Sequence, residues 1–440
     1  MNYNDELGKM TLVATGDIFI TRKLSPYNEP EYLQMWDILQ SGDIKFTNFE
    51  MLVHEFLGYP VAQSGGTYTQ VDKMILDEIK FAGFNLLSLA NNHSLDYSYE
   101  AMLRTIELFE ENDLTHAGTG MNLADARSPR YLDLNYGRVG FLASASSFAP
   151  HGRAGQARPD SIGRPGLNPV RYETYYELDA NHFENIKKID KHVKNDKIKE
   201  ARKKSGWGSV DDVNTCTIGN NKYVLGHNPG IHTKINEDDR LGNLKWISDA
   251  KRQSDFVVFS MHSHEGNPTD SNQPAEFHKP FAHDCIDAGA NAFIGHGSHY
   301  IRGIEIYNGR PIFYGLGNFV FQNETVRKLP HDVYEKTSLD FEDTPANYYD
   351  KRSDNDNKGF PADEKFWQSF MPKCFFEDGK LVKMIIYPIT LGHGKKRTVR
   401  GRPMLATDFE ADEILEKLKK LSKEFGTEIE IKDKVGYITI

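Results

Sequence analysis

The stretch FNLLSLANNHSLD, residues 84–96, changes character halfway along. The apolar run FNLLSL stops, and Asn91, Asn92, His93 and Asp96 follow almost at once. A plain turn needs one Asn or Gly, so this concentration of donors and ligands asks for a second explanation. The apolar part reads as a buried strand with the polar cluster at its carboxyl end. Comparable β-type runs surround it. TLVAT (11–15) leads into Gly16-Asp17, and IKFTNFE (44–50) follows a Gly42-Asp43 turn. VGFLASAS (139–146) follows Tyr136-Gly137, while FVVFSMHSH (256–264) and NAFIGHGSH (291–299) end in histidines.

Helical spacing lies between these runs. Ile75, Ile79 and Ala82 share one face of 74–84, with Gly83 as the cap; Met102, Ile106 and Phe109 share a face of 99–114. Strand–helix alternation of this kind predicts an α/β fold. In 302–321, two alternating runs flank Asn308-Gly309, the signature of a type I′ hairpin. Two stretches read as inserted lids or solvated excursions. Residues 147–245 open with a Gly/Pro/Arg-rich loop and continue into a Lys-rich helical run at 182–204, while 322–372 are highly charged with little periodicity. The division is therefore a main domain over 9–321 with insertion 147–245, a charged lid over 322–372, and C-terminal strands and helix over 373–440 that complete the domain.

The bulk numbers bound the function. With 440 residues, 39% apolar and 26% charged, the chain can form a sizeable core. A net charge of −10 argues against sequence-blind nucleic-acid binding. Cys216, Cys285 and Cys374 stand far apart, which excludes a disulfide framework or zinc ribbon and suits a reducing compartment. No apolar run approaches the roughly 18 residues a membrane span requires. The polar start MNYNDELGKM lacks the apolar core of a leader, so a cytoplasmic location is expected. The oligomeric state is left open.

Asp17, Glu50, Asn92, His93, His262, His264, His296 and His299 all fall at or just past predicted strand ends. Singly each has a bland reading: Asp17 as a turn residue, His262 or His264 as a satisfied core histidine. Together they fall on the rim where α/β sheets build their sites. Mixed oxygen and imidazole ligands suit divalent Mn, Fe, Zn or Co, and the absence of cysteine argues against a structural zinc.

Several motifs carry a resemblance: GDIFITR (16–22), TNFE (47–50), SLANNHSLDYS (88–98), HAGTG (116–120), MHSHEGN (261–267) and GHGSHYIRGIEIYNGRPIFYGLGNFVF (295–321). In order and content they resemble the CapA-type poly-γ-glutamate capsule biosynthesis family, a branch of the calcineurin-like metallophosphatase fold. The resemblance implies a four-layer α-β-β-α sandwich with a metal centre between the sheets. Asp17 and Glu50 would be acidic ligands, with Glu50 bridging, and Asn92 the amide ligand. His262 and His296 would hold the second metal, His299 being the last histidine of the closing motif. His93 would be the general acid, oriented by Asp96 one helical turn on. Three departures stand out: Asp17-Ile18-Phe19 replaces D-x-H, Gly297 stands where a histidine is common, and His264 is extra. They predict one tightly held ion, with a second weak or absent.

Such a centre supports a hydrolase acting on an anionic phosphoester or a γ-glutamyl amide or peptide, with His93 or His264 as the acid. The alternative is epimerisation at a Cα–H by two histidines, as in lasso-peptide epimerases, which look similar to this family. A third reading is a non-catalytic subunit of polymer synthesis. Arg153, Arg158, Arg164 and Arg171 read either as a clamp on the anionic substrate or as surface ion pairs. The Lys-rich run 187–204 reads as a solvated helix face.

Overall fold

The computed structural model describes residues 8–135, 137–208 and 210–440. Most of the polar start, and Tyr136 of the expected turn, lie outside the described residues.

Six of the predicted runs form strands in two sheets. The larger sheet is centred on Lys9–Phe19, which pairs parallel to Ile44–Phe49 on one side and antiparallel to Gln368–Glu377 on the other. Leu86–Ser88 lies beyond Ile44–Phe49. The second sheet runs Ile304–Tyr307, Arg310–Phe313, Ala292–His296, Phe256–His262, Gly137–Ala145, Arg130–Leu134.

Alternation along each strand divides the core. Leu12, Ala14 and Phe46 of the larger sheet share one buried cluster with Phe141, Val258 and Ile294 of the second. Val13 and Ile18 point the other way, into a cluster with Trp36, Ile79 and Phe109, which come from the helices Pro30–Gln40, Ile75–Ala82 and Ser98–Glu111. Val257, Phe259 and Phe293 likewise turn from the second sheet toward Ile247 and Phe281 of helices Glu237–Gln253 and His278–Asp287. Each such large side chain contributes about 1.5–3 kcal/mol of burial. Gly83 closes its helix at φ +86°, and Asn308 and Gly309 turn the hairpin at φ 51° and 72°, both as expected.

The rest of 302–321 departs from a simple hairpin. Beyond Phe313 the chain crosses to the larger sheet, where Asn318–Phe321 pairs parallel to Lys9–Phe19. The crossing needs a close approach: a Cβ on Gly16 would stand 1.7 Å from the Gly317 carbonyl oxygen. The first insertion carries its own four-stranded sheet between Tyr172 and Ile235, with helices Ala180–His192 and Asn195–Lys204. Helix Glu237–Gln253 already packs on the second sheet, so the excursion ends before residue 245. The charged segment is ordered into short helices, and its last residues are strand: Gln368–Glu377 starts before the expected boundary at 373. Buried Arg400 pins this segment, bonding Glu324 at 2.7 and 2.6 Å and Asp356 at 2.8 and 3.0 Å. Among the described residues no helix is long and apolar enough to cross a membrane.

Candidate metal centre

Strand register brings the candidate ligands together. In the larger sheet Asp17 lies beside Asn48 on one neighbouring strand and Asn318 on the other. In the second sheet His262 and His296 end adjacent parallel strands in register. Glu50 follows directly on Ile44–Phe49, its N–H donating to the Ile18 carbonyl at 3.2 Å. A register shift between Ala14 and Asp17 marks the first strand as it reaches the site, a common place for such irregularities.

Two three-residue clusters result, Asp17–His262–His296 and Glu50–His264–His299, and each could hold a metal ion. In the first, Ser260 Oγ lies 2.7 Å from His296 Nε2, turning Nδ1 to within 3.4 Å of Asp17 Oδ1. Asn48 donates to Asp17 Oδ1 at 2.8 Å and the Gly297 N–H to Oδ2 at 3.0 Å. Gly297 has φ +99°, and a Cβ there would meet His262 at 2.9 Å, so the departure at this position serves the backbone contact. In the second cluster His299 Nδ1 donates to Asn318 Oδ1 at 2.9 Å, an amide oriented by its own bonds to the His299 and Phe366 carbonyls. That leaves His299 Nε2 facing Glu50 at 3.8 Å. The clusters meet at His262, whose Nδ1 is 3.1 Å from His296 and whose Nε2 is 3.0 Å from His264. His264, expected as an acid or as an extra residue, thus sits among the candidate ligands.

The electrostatics suit a cation. Burial, with the neighbouring imidazoles, pushes His262 well below the usual histidine range, and burial lowers His299. His264 shifts the same way through burial and the His299 and His93 rings, tempered by the 35% of its side chain that stays open. All three are therefore held in the neutral form that ligates metals. Burial pushes Asp17 up, but His296, His299 and the Asn48 amide outweigh it and hold the carboxyl low. Burial raises Glu50 well above the carboxylate range, helped by Asp17 and Asp96. Among the described residues, Glu50 Oε1 and Asn92 Oδ1 are buried without a hydrogen-bond partner, a costly arrangement that a divalent ion would relieve. The donor set of imidazole, carboxylate and amide oxygen fits Mn, Fe, Zn or Co.

His93 stands beside the second cluster. Its Nδ1 is 2.7 Å from Asp96 Oδ2 and its Nε2 4.0 Å from Glu50 Oε1. Asp96 is fixed in turn by the Thr69 N–H at 2.9 Å. The expected helical turn between them is a run of turns, the helix beginning only at Ser98. Asn91 ties this loop to the neighbouring strand, donating to the Phe49 carbonyl at 2.8 Å and accepting from the His93 N–H at 3.0 Å. A cavity of about 200 Å³ opens here, walled by Glu50, Asn92, His93, His264 and His299, and by Arg352 from the charged segment.

The four arginines of the 153–171 loop are not on that wall. Arg171 is bound to buried Asp239 at 2.6 and 3.0 Å, Arg158 pairs with Asp160 at the surface, and Arg164 donates to the Arg153 carbonyl. Asn48, Ser260, Asn318 and Arg352 join the site without having been assigned to it. For the first three the signal was available, because each lies on a strand next to a candidate ligand; nothing local singles out Arg352.

A family model described as bacterial capsule synthesis protein PGA_cap matches residues 11–323, more than half of the chain. The chain belongs to that family. Among relatives of this PGA_cap protein, the uncharacterized protein y4sH of Sinorhizobium fredii is 35% identical over 448 residues, covering 98% of this chain and 93% of y4sH. The capsule biosynthesis protein CapA of Bacillus anthracis is 25% identical over 326 residues, 72% of this chain and 61% of CapA. The PGA biosynthesis protein CapA of Bacillus subtilis is 26% identical over 330 residues, 74% and 66% respectively.

Proposed function

We propose that this PGA_cap protein is a metal-dependent hydrolase of an anionic substrate, cleaving a phosphoester or a γ-glutamyl-type amide, with His93 as general acid. The observation that carries this reading is the pair of ligand clusters meeting at His262, with the Asp96-backed His93 on the wall of the same cavity. The sharing of one core between two sheets, with helices on their outer faces, supports the four-layer α-β-β-α metallophosphatase-like sandwich. Asp17, His262 and His296 would hold one ion; Glu50, His264, His299 and the Asn92 amide oxygen would hold a second. A divalent cation bound there supplies Lewis-acid polarisation of a phosphoryl or carbonyl group and acidified water. With Nδ1–H held by Asp96, His93 acts as acid in its imidazolium form: Nε2 gives its proton to the departing oxygen or nitrogen and the ring ends neutral, with Nδ1–H retained. The names of the CapA relatives suggest poly-γ-glutamate biosynthesis as the setting.

Epimerisation would need two unligated imidazoles facing one Cα–H. With His264 grouped with Glu50 and His299, His93 is the one unligated imidazole among the described residues of the cavity wall, which favours hydrolysis. The test is metal analysis of the purified protein, followed by turnover of a phosphodiester and a γ-glutamyl anilide with added manganese. Chelation should abolish turnover and manganese restore it. His93→Ala should lower kcat by about 10²–10⁴-fold with metal content unchanged. Full turnover by His93→Ala or by His296→Ala would sink the reading, and deuterium entering a substrate Cα without cleavage would select epimerisation.

A further inference from the structure

Next to the ligand cavity lies a second cavity of about 230 Å³, and the two share Asn323, Arg352 and Phe360 as wall. The rest of the second wall is largely apolar, with Pro361 and Phe366 beside Phe360. Among the described residues, two polar groups on it have no hydrogen-bond partner: Asn323 Oδ1, on a residue 6% exposed, and the hydroxyl of Tyr349, 3% exposed. Native structures keep few buried polar atoms unpaired, and a pair of them on one cavity wall points to a ligand that completes their bonding. Arg352 stands where the cavities join. Among the described residues its guanidinium bonds only the Thr67 hydroxyl and makes no ion pair. Glu324 on the same wall cannot neutralise it, being held by Arg400 at 2.7 and 2.6 Å.

We propose that the second cavity is a substrate subsite for a peptide-like acid: a carboxylate, an adjoining amide and an apolar side group. The carboxylate pairs with the Arg352 fork, which matches its geometry bidentately. An amide N–H donates to Asn323 Oδ1, and the apolar group lies against Phe360 and Phe366. A plain acidic polymer would satisfy Arg352 but leave the aromatic wall uncovered. The inference rests on the hydrolytic reading only for which bond is cut.

The test is calorimetric binding of three probes to the manganese-loaded protein: N-acetylphenylalanine, its carboxamide, and N-acetylglycine. N-acetylphenylalanine should bind at least about tenfold tighter than either of the others. Arg352→Met should remove the acid-over-amide preference while keeping phenylalanine over glycine, with circular dichroism and metal content as folding controls. The subsite is overturned if wild type treats acid and amide alike, prefers glycine equally, or binds none of the three, or if folded Arg352→Met keeps the acid preference. Should the variant fail to fold, the wild-type panel decides alone. Discrimination without hydrolysis of any substrate sustains the subsite and counts against the hydrolytic reading; hydrolysis without discrimination does the reverse.

Discussion

Two charged excursions interrupt this fold, and they use arginine in opposite ways. In the loop entering the first insertion, Arg164 and Arg171 spend their guanidinium groups on architecture. Arg171, with Arg127 from a nearby helix, closes on Asp239, which is 1% exposed. The segment 322–372 is pinned from outside, by Arg397 and Arg400 reaching back to Asp350, Glu324 and Asp356. Those later arginines hold Glu324, Asp350 and Asp356, while the segment's own Arg352 has no carboxylate partner among the described residues and faces the site. Counting arginines in a segment therefore says little about binding; counting the carboxylates already available to each says more.

The strongest challenge to that contrast is Asp239→Ala, which strands Arg127 and Arg171 together. It should cost about 3–5 kcal/mol in urea unfolding, the penalty for breaking a buried ion pair, while metal content per folded chain stays at the wild-type value. Loss of metal with little loss of stability would mean that the first loop, not the second, serves the site. Arg400→Met should cost less, about 1.5–3 kcal/mol, because Arg397 remains 3.6 Å from Glu324 and Asp356 is half open to solvent.

The same locality decides what the sequence could reveal. The convergence of the candidate residues was readable because parallel strands carry their carboxyl ends to one rim, and Asp17, Glu50, Asn92, His262 and His296 all stand at or near strand ends. The Asn308-Gly309 turn was readable because its backbone chemistry is local. The crossing of Asn318–Phe321 to the first strand was not, since it depends on Gly16 meeting Gly317 some 300 positions away. Nor was the order in 322–372, which a residue outside the segment supplies through Arg400. Of the two readings of the arginine loop, ion pairing is the one that the Asp239 and Asp160 contacts fit, and the choice was not local: Asp239, which claims Arg171, lies 68 residues further on. His264 read as surplus because the family pattern lacks it, although its place beside His262 gives it a ligand's position.

On the binding side, Arg352→Met should raise KM for a carboxylate-bearing substrate about tenfold, near 1.4 kcal/mol, with kcat within about twofold of wild type. Stability should barely move, since the guanidinium has no buried anion to abandon. A fall in kcat with KM unchanged would place Arg352 in the chemistry rather than in recognition, and would erase the distinction drawn between the cavities.

The smallest effect is the most discriminating control. Arg158 pairs with Asp160 at 3.1 Å, both about three-quarters exposed, and exposed pairs gain little because water and salt screen them. Arg158→Ala should leave unfolding within about 0.5 kcal/mol of wild type and leave KM unchanged. The residue shares its loop with Arg171 and its charge with Arg352, so neither locality nor sign can explain a null result. Only the absence of a buried carboxylate to anchor, and of a cavity to face, separates it from the other two. A tenfold rise in KM on removing Arg158 would show instead that the loop folds over the substrate in solution, and that a substrate-binding cation lies in the first excursion.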